Sequence, residues 1–357
     1  MKIIVSAGGT MGHINPALAI IEEFKKHEKN LEVLYIGTHN RMEKDIIPKK
    51  NIRYEAIEIY GFTKDIKRDI KNIGCIRRAM KRCEEIMKEF RPDVVIGVGG
   101  YVTYPVLKVA HRLHIKTFIH EQNSIPGKSN KMIGKYADLI GVSFETSKQF
   151  FKTKGRIIYT GHPCGASALT IPKKDKTELG LKKGKKLVTV VAGSLGSGSL
   201  NNKMKDFLMN THNYEICYIT GKGYYEEFMD GFKAPENVKI FPFMESLPGL
   251  LKISDLVISR AGAGSLSELM ALEIPAIVIP SPNVANNHQY YNAKDLSDKG
   301  CIVLLEESEI TTKVLEEKID FLLNDITTRM KLKNAMHELD TRNSAEIIYQ
   351  AIKGMIS

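Results

Sequence analysis

Short apolar runs rich in Ile and Val alternate along the chain with longer stretches whose apolar residues recur every three or four positions. Residues 2–5 read as a buried strand. The following Ala7-Gly8-Gly9-Thr10-Met11-Gly12 reads as a turn whose glycines allow unusual dihedrals and close backbone approach. Asn15 before Pro16 predicts a helix start, with Ala17, Leu18, Ile20, Ile21 and Phe24 on its apolar face. Residues 31–36 return as a strand.

The same grammar recurs. Residues 93–98 lead into Gly99-Gly100-Tyr101, and 117–119 end in the polar tetrad His120-Glu121-Gln122-Asn123. Pro163, Pro172 and the charged 173–186 stretch mark an exposed connection, after which the pattern restarts. Residues 187–191 then enter Ala192-Gly193-Ser194-Leu195-Gly196, and 255–259 enter Arg260-Ala261-Gly262-Ala263-Gly264-Ser265. The two strand–glycine pairs of the first half thus have counterparts in the second. The pattern predicts an α/β chain of two domains, each a parallel sheet with helices on both faces, facing across a cleft lined by loops at the strand carboxyl ends. The expected division is 1–162, 163–335 and a helical segment 336–357 that closes the second domain or returns to the first, with Met336, Leu339, Ala345, Ile348 and Ile352 as packing positions.

At 357 residues the chain exceeds what one core usually fills. Its 52 Lys+Arg against 41 Asp+Glu give a net charge of +11, which suits nucleic acid, anionic lipid or a phosphorylated small molecule. No nucleic-acid module accompanies the charge. No run approaches the roughly 18 to 20 apolar residues of a membrane span, and no export signal is visible. Five scattered cysteines without a CxxC pair favour reduced thiols over disulfides or structural zinc. Without Asp-x-Asp or a compact His, Cys or carboxylate cluster, no dedicated metal cage is expected; a transient divalent cation is still compatible.

His13 follows the first glycine turn, two residues before the expected cap at Asn15, where the positive helix end favours neutral imidazole. It suits a general base for a sugar hydroxyl, or a histidine bonded to the cap. The helix start at Ala263, Gly264 and Ser265, with Arg260, suits phosphate oxygens. Glu268, expected in the first turn, suits two ribose hydroxyls, or else a capping role. Ser194 suits a second phosphate, and Asn286-Asn287-His288-Gln289 suits sugar hydroxyls. The dinucleotide fingerprint, the P-loop and the GxSxG elbow are missing, which disfavours hydride transfer, ATPase and covalent serine chemistry. Over residues 72–90 an apolar stripe (Ile73, Ile76, Met80, Cys83, Met87, Phe90) opposes Arg77, Arg78, Lys81 and Arg82. This is a solvated face or, with Ile59, Tyr60, Phe62, Ile66 and Ile70, a dock for anionic membrane.

Taken in order, GGTMGHINPALA, GVGGYVTYP, HEQNSIPGKSNK, AGSLGS, SRAGAGSLSE and NNHQYYNA resemble the MurG family of glycosyltransferases over nearly the whole chain. The resemblance implies a GT-B fold of two Rossmann-like domains. It also implies inverting transfer of N-acetylglucosamine from UDP-GlcNAc to the C4 hydroxyl of undecaprenyl-diphosphoryl-MurNAc-pentapeptide (lipid I), forming lipid II, without a tightly bound cofactor. It places the enzyme peripherally on the cytoplasmic face of the bacterial membrane, in company with cell-wall synthesis proteins. Residue by residue, it implies acceptor activation by His13 and acceptor contacts at Thr10, Gly12, Gly99, Gly100, Tyr101, His120, Glu121, Gln122 and Asn123. Donor contacts fall at Ser194, Phe243, Met244, Arg260, Ala263, Gly264, Ser265, Glu268, His288 and Gln289. Met11, Ala192 and Asn286 depart from the family pattern, and Gly165 stands where many members carry an arginine near the donor phosphates. Transfer to diacylglycerol or another polyprenyl acceptor, or a noncatalytic nucleotide-sugar-binding scaffold, are the competing functions.

Overall fold

The computed structural model describes residues 1–61, 66–193, 196–339 and 341–357, with side chains omitted for 66–71, 73 and 341. The chain forms two compact units: Met1–Cys164 with Asn343–Ser357, and Gly165–Arg342.

Among the described residues the first unit holds seven parallel strands: β1 (Lys2–Ala7), β2 (Glu32–Thr38), β3 (Arg53–Ile57), β4 (Val94–Gly99), β5 (Lys116–Glu121), β6 (Leu139–Val142) and β7 (Arg156–Tyr159), in the order β3-β2-β1-β4-β5-β6-β7. Successive residues of β1 face opposite layers, as the two-residue period of a strand requires. Ile4 packs with Cys83, Met87 and Phe90 of the Ile66–Phe90 helix, while Ile3 and Val5 pack with Ile20 and Phe24 of the Met11–His27 helix. Each such fully buried side chain contributes roughly 1.5–3 kcal/mol.

The second unit holds six described strands: β8 (Leu187–Val191), β9 (Glu215–Ile219), β10 (Val238–Phe241), β11 (Leu256–Ser259), β12 (Ala276–Val278) and β13 (Val303–Leu304), in the order β10-β9-β8-β11-β12-β13. Strand order reverses between β1 and β4 and again between β8 and β11, so each unit has a switch point where a doubly wound sheet opens a crevice at its strand carboxyl ends. The repeat reaches single atoms. Asp93 Oδ2 accepts from the Lys2 N–H at 2.7 Å, and Asp255 Oδ2 accepts from the Leu187 N–H at 2.8 Å.

The Ile326–Glu338 helix belongs to the second unit, with Met336 buried. The Ser344–Ile356 helix belongs to the first, where Ile348, Tyr349 and Ile352 pack on the Met11–His27 helix. Tyr349 stacks on His27 with centroids 4.3 Å apart and meets Phe24 edge-on at 5.1 Å.

Candidate active site

At the first switch point the loops after β1 and β4 are tied by the Gly8 N–H donating to the Gly99 carbonyl at 3.2 Å. Gly99 and Gly100 have φ of 116° and 90°. A Cβ on Gly99 would stand 2.8 Å from His13 Nε2, and one on Gly100 would stand 2.5 Å from the Gly8 carbonyl oxygen. Glycine is required at both positions by conformation and by space.

The first helix starts at Met11, with Thr10 as an exposed N-cap whose side chain makes no capping bond. This corrects the expected start at Asn15. Pro16 lies inside the helix, past the orphan N–H groups of the first turn, and forgoes a bond to the Gly12 carbonyl. His13 therefore sits in the first turn. Its Nδ1 lies 3.0 Å from the Gly8 carbonyl oxygen, which can only accept. The bond puts a proton on Nδ1, which in the neutral ring leaves the lone pair on Nε2, the tautomer of a base.

Two residues without a sequence signal of their own complete these loops. Arg41 Nε donates to Tyr101 Oη at 3.1 Å, and the fully buried Glu43 accepts from the Gly9 N–H at 3.1 Å. Their place after β2, beside β1, is the clue the sequence offered.

The His120–Asn123 tetrad is largely turned inward: His120, Glu121 and Gln122 are 0–2% exposed. Gln122 Nε2 donates to the Val98 carbonyl at 2.9 Å and to His120 Nδ1 at 3.1 Å, while His120 Nε2 donates to the Gly161 carbonyl at 3.1 Å. Glu121 accepts from the Asn123 N–H, the Gly127 N–H and Asn130 Nδ2 at 2.9, 3.2 and 2.8 Å. Burial pushes the Glu121 carboxyl up, pushes His120 down to about 4, and pushes the neighbouring His162 down to about 3. These groups brace the loop from behind, and Asn123 is the partly exposed member of the tetrad.

In the second unit the Ala263–Leu272 helix follows β11 with Gly262 at its N-cap and no side-chain cap. Ala263, Gly264 and Ser265 are partly exposed, so their first-turn N–H groups are open to an anion. Glu268 is the sixth residue of the helix, not in its first turn, which removes the capping alternative. Its carboxyl makes no hydrogen bond or ion pair among the described residues, and although the residue keeps some exposed surface, burial of the carboxyl raises its pKa to about 7.

Arg260, expected at the diphosphate, is 4% exposed and turned inward. Its Nη1 pairs with Glu307 at 2.5 Å, and Nη2 donates to Ser197 Oγ at 2.5 Å, at the N-cap of the Gly198–Met209 helix. A buried guanidinium needs such a partner. Met244 is buried, and the half-exposed Phe243 carries Lys222 4.5 Å above its ring. His288 Nδ1 donates to the Ala285 carbonyl at 2.8 Å, and Gln289 Oε1 accepts from the Ser281 N–H at 2.9 Å. At Gly165 a Cβ would stand 3.0 Å from the Ser267 carbonyl oxygen, so the Cys164–Thr170 helix presses on the helix that carries Glu268.

Ser194 and Phe62 lie outside the described residues, as do the side chains of Ile66 and Ile70. Arg77, Arg78, Lys81 and Arg82 are exposed on the Ile66–Phe90 helix. Arg78 pairs with Glu58 at 3.3 Å and Arg82 with Glu55 at 3.1 Å, whereas Arg77 and Lys81 make no ion pair among the described residues. Among those residues, Glu23, His27 and Glu346 are close enough to share a metal ion. They join two helices of the first unit and already form ion pairs.

Residues 3–142 match the N-terminal domain of glycosyltransferase family 28, and residues 187–350 match its C-terminal domain. The UDP-N-acetylglucosamine–N-acetylmuramyl-(pentapeptide) pyrophosphoryl-undecaprenol N-acetylglucosamine transferase of Halalkalibacterium halodurans is 40% identical over 99% of both chains. Its Bacillus licheniformis namesake is 38% identical over 99% of this chain and 98% of its own. The crystal structure of Acinetobacter baumannii MurG superposes with a TM-score of 0.77 at 26% identity, covering 99% of each chain. A UDP-GlcNAc 2-epimerase from Neisseria meningitidis shares the fold at a TM-score of 0.72 and 15% identity, over 99% of this chain and all of its own. With two Rossmann-like units and near full-length identity to these transferases, the chain belongs to the MurG family of GT-B glycosyltransferases.

Proposed function

We propose that the protein transfers N-acetylglucosamine from UDP-GlcNAc to the C4 hydroxyl of lipid I, forming lipid II with inversion at the anomeric carbon. The observation that carries this reading is the end-to-end identity to relatives whose names state a transfer of N-acetylglucosamine to an undecaprenyl-linked acceptor. Each unit has a part in this reading. In the first, His13 Nε2 takes the proton of the acceptor hydroxyl as its oxygen bonds to the anomeric carbon. The bond from that carbon to the β-phosphate oxygen breaks, and UDP leaves with the electron pair. Thr10, Gly12, Gly99, Gly100, Tyr101 and Asn123 hold the acceptor.

In the second unit, the open N–H groups at Ala263, Gly264 and Ser265 take phosphate oxygens, and the helix dipole offsets the charge developing on UDP. Ser194 is assigned to the same phosphates. Glu268 accepts from the ribose hydroxyls, backbone groups at Phe243 and Met244 read uracil, and His288 and Gln289 orient the sugar. Arg260 acts through Ser197 and the loops it ties, as a positioning residue. No tightly bound cofactor enters this scheme.

The exposed Arg77 and Lys81 suit the headgroups of an anionic cytoplasmic membrane face, each worth about 1 kcal/mol near such a surface. No described helix is long and apolar enough to cross a membrane. The test is turnover of labelled UDP-GlcNAc by the purified protein with lipid I or diacylglycerol. Product with lipid I is expected; product with diacylglycerol alone, or donor binding without product on either, sinks the reading.

A further inference from the structure

We infer that Glu43 is a positioning residue for His13: its carboxylate fixes the Gly8–Gly9 peptide plane and thereby the tautomer of the imidazole. The inference rests on the reading of His13 as the base. β2 runs beside β1, so the segment that follows Thr38 lies next to the first glycine turn, and the short Glu43–Ile46 helix delivers the carboxylate to it. That carboxylate is fully buried. Oε1 accepts from Thr38 N–H at 3.2 Å and Thr38 Oγ1 at 2.7 Å, and Oε2 accepts from the Gly9 N–H at 3.1 Å. No cation forms an ion pair with it among the described residues, so these donors, with the longer-range attraction of the Arg41 guanidinium, offset its desolvation. The turn is closed onto the carboxylate: a Cβ on Gly8 would stand 2.6 Å from Glu43 Oε1.

The Gly9 N–H and the Gly8 carbonyl belong to one planar peptide unit and point to opposite sides of it. Glu43 holds one end, and His13 Nδ1–H donates to the other at 3.0 Å. Gly9, at φ 92°, lies in the left-handed region that glycine enters freely, so this plane has little intrinsic resistance to turning over. A turned plane would aim an N–H at His13 Nδ1. The ring would then hold its proton on Nε2, and the base would be lost. By accepting from the Gly9 N–H, the carboxylate selects the productive plane.

Glu43→Gln keeps size and shape but breaks this selection. If the amide oxygen serves Thr38, its NH2 meets the Gly9 N–H donor to donor, and the turned plane becomes the better partner. The expected result with UDP-GlcNAc and lipid I is a fall in kcat of roughly a hundredfold or more, with the KM for UDP-GlcNAc within about twofold. In 15N-histidine spectra, the His13 resonances, assigned by loss in His13→Ala, should move from the Nδ1–H to the Nε2–H pattern. Thr38→Val, which removes a donor from the other carboxylate oxygen, should retain kcat within a few-fold and keep the wild-type His13 pattern. If Glu43→Gln does not fold, Glu43→Asp, one methylene too short to reach Gly9, should show the same shift. An unchanged His13 pattern in both Glu43 variants, or an equal kcat loss in Thr38→Val, overturns the inference. Wild-type protein without turnover overturns the transfer reading instead, and the His13 spectra then decide the peptide-plane claim alone.

Discussion

Both units place carboxyl groups near the loops of their switch points, and they treat them in opposite ways. In the first unit Glu43 and Glu121 are buried and satisfied by N–H, hydroxyl and amide donors of the surrounding segments. In the second, Glu268 makes no hydrogen bond among the described residues, and burial holds its pKa near 7. A satisfied buried carboxylate shapes the backbone around it. An unsatisfied one keeps its acceptors for something that arrives later.

The strongest way to break this contrast is His13→Ala. It should lower kcat by roughly 10²- to 10⁴-fold. UDP affinity by calorimetry should be unchanged, because UDP is assigned to the other unit; weakened UDP binding would end the division of labour.

Next comes Glu268→Gln, with an expected loss of UDP affinity of roughly tenfold at pH 8, the scale of a hydrogen bond to a charged group. Wild-type affinity should fall as pH drops below about 7, where this carboxyl takes up a proton, and the variant should lack that component. Apo stability should run the other way. The folded-state pKa lies above the unfolded one, so stability is lost as pH rises from about 4.5 to about 7. Hydrogen exchange in residues 263–272 measures this, and a flat profile would remove Glu268 as the waiting group.

Restoring an arginine by Gly165→Arg should weaken UDP binding a few-fold instead of strengthening it, and lower Tm by several degrees, because overpacking costs about 1–3 kcal/mol. A tighter donor complex would show that the helices part without cost. The smallest effect concerns His120 and His162, held neutral by burial at about 4 and about 3. Unfolded histidine titrates near 6.5, so their contribution is complete above that pH and lost as pH falls toward 4. His162→Asn should remove part of this acid sensitivity, read as slower exchange of residues 156–161 at pH 5 than in wild type. No difference between the two proteins would leave burial of His162 without energetic weight.

The strand–glycine pairs were legible because Ile/Val runs that end in glycine have few other uses, and they mark both switch points. The start of the first helix was not, because Pro16 looks like a first-turn proline and sits five residues beyond Met11. Glu268 stands out in the sequence as a carboxylate just past a glycine turn, but the helical turn it occupies does not, since Ala263-Gly264-Ser265 gives no cap that fixes the helix start. The inward turn of Arg260 depends on Glu307, a partner far along the chain that no local pattern connects to it. Glu43 escaped for a related reason: an acid in Arg41-Met42-Glu43-Lys44 reads as surface, and only the pairing of β2 with β1 buries it.

The return of the Ser344–Ile356 helix to the first unit has a consequence for biosynthesis. The second unit is continuous in sequence and lies wholly between the two pieces of the first. During synthesis the ribosome therefore releases the glycine loops of the first sheet early. The helix that covers Ile20, Ile21 and Phe24 emerges only after the inserted unit has been made. The half of the enzyme translated first is the half completed last, and until then its apolar flank is exposed to chaperones and proteases.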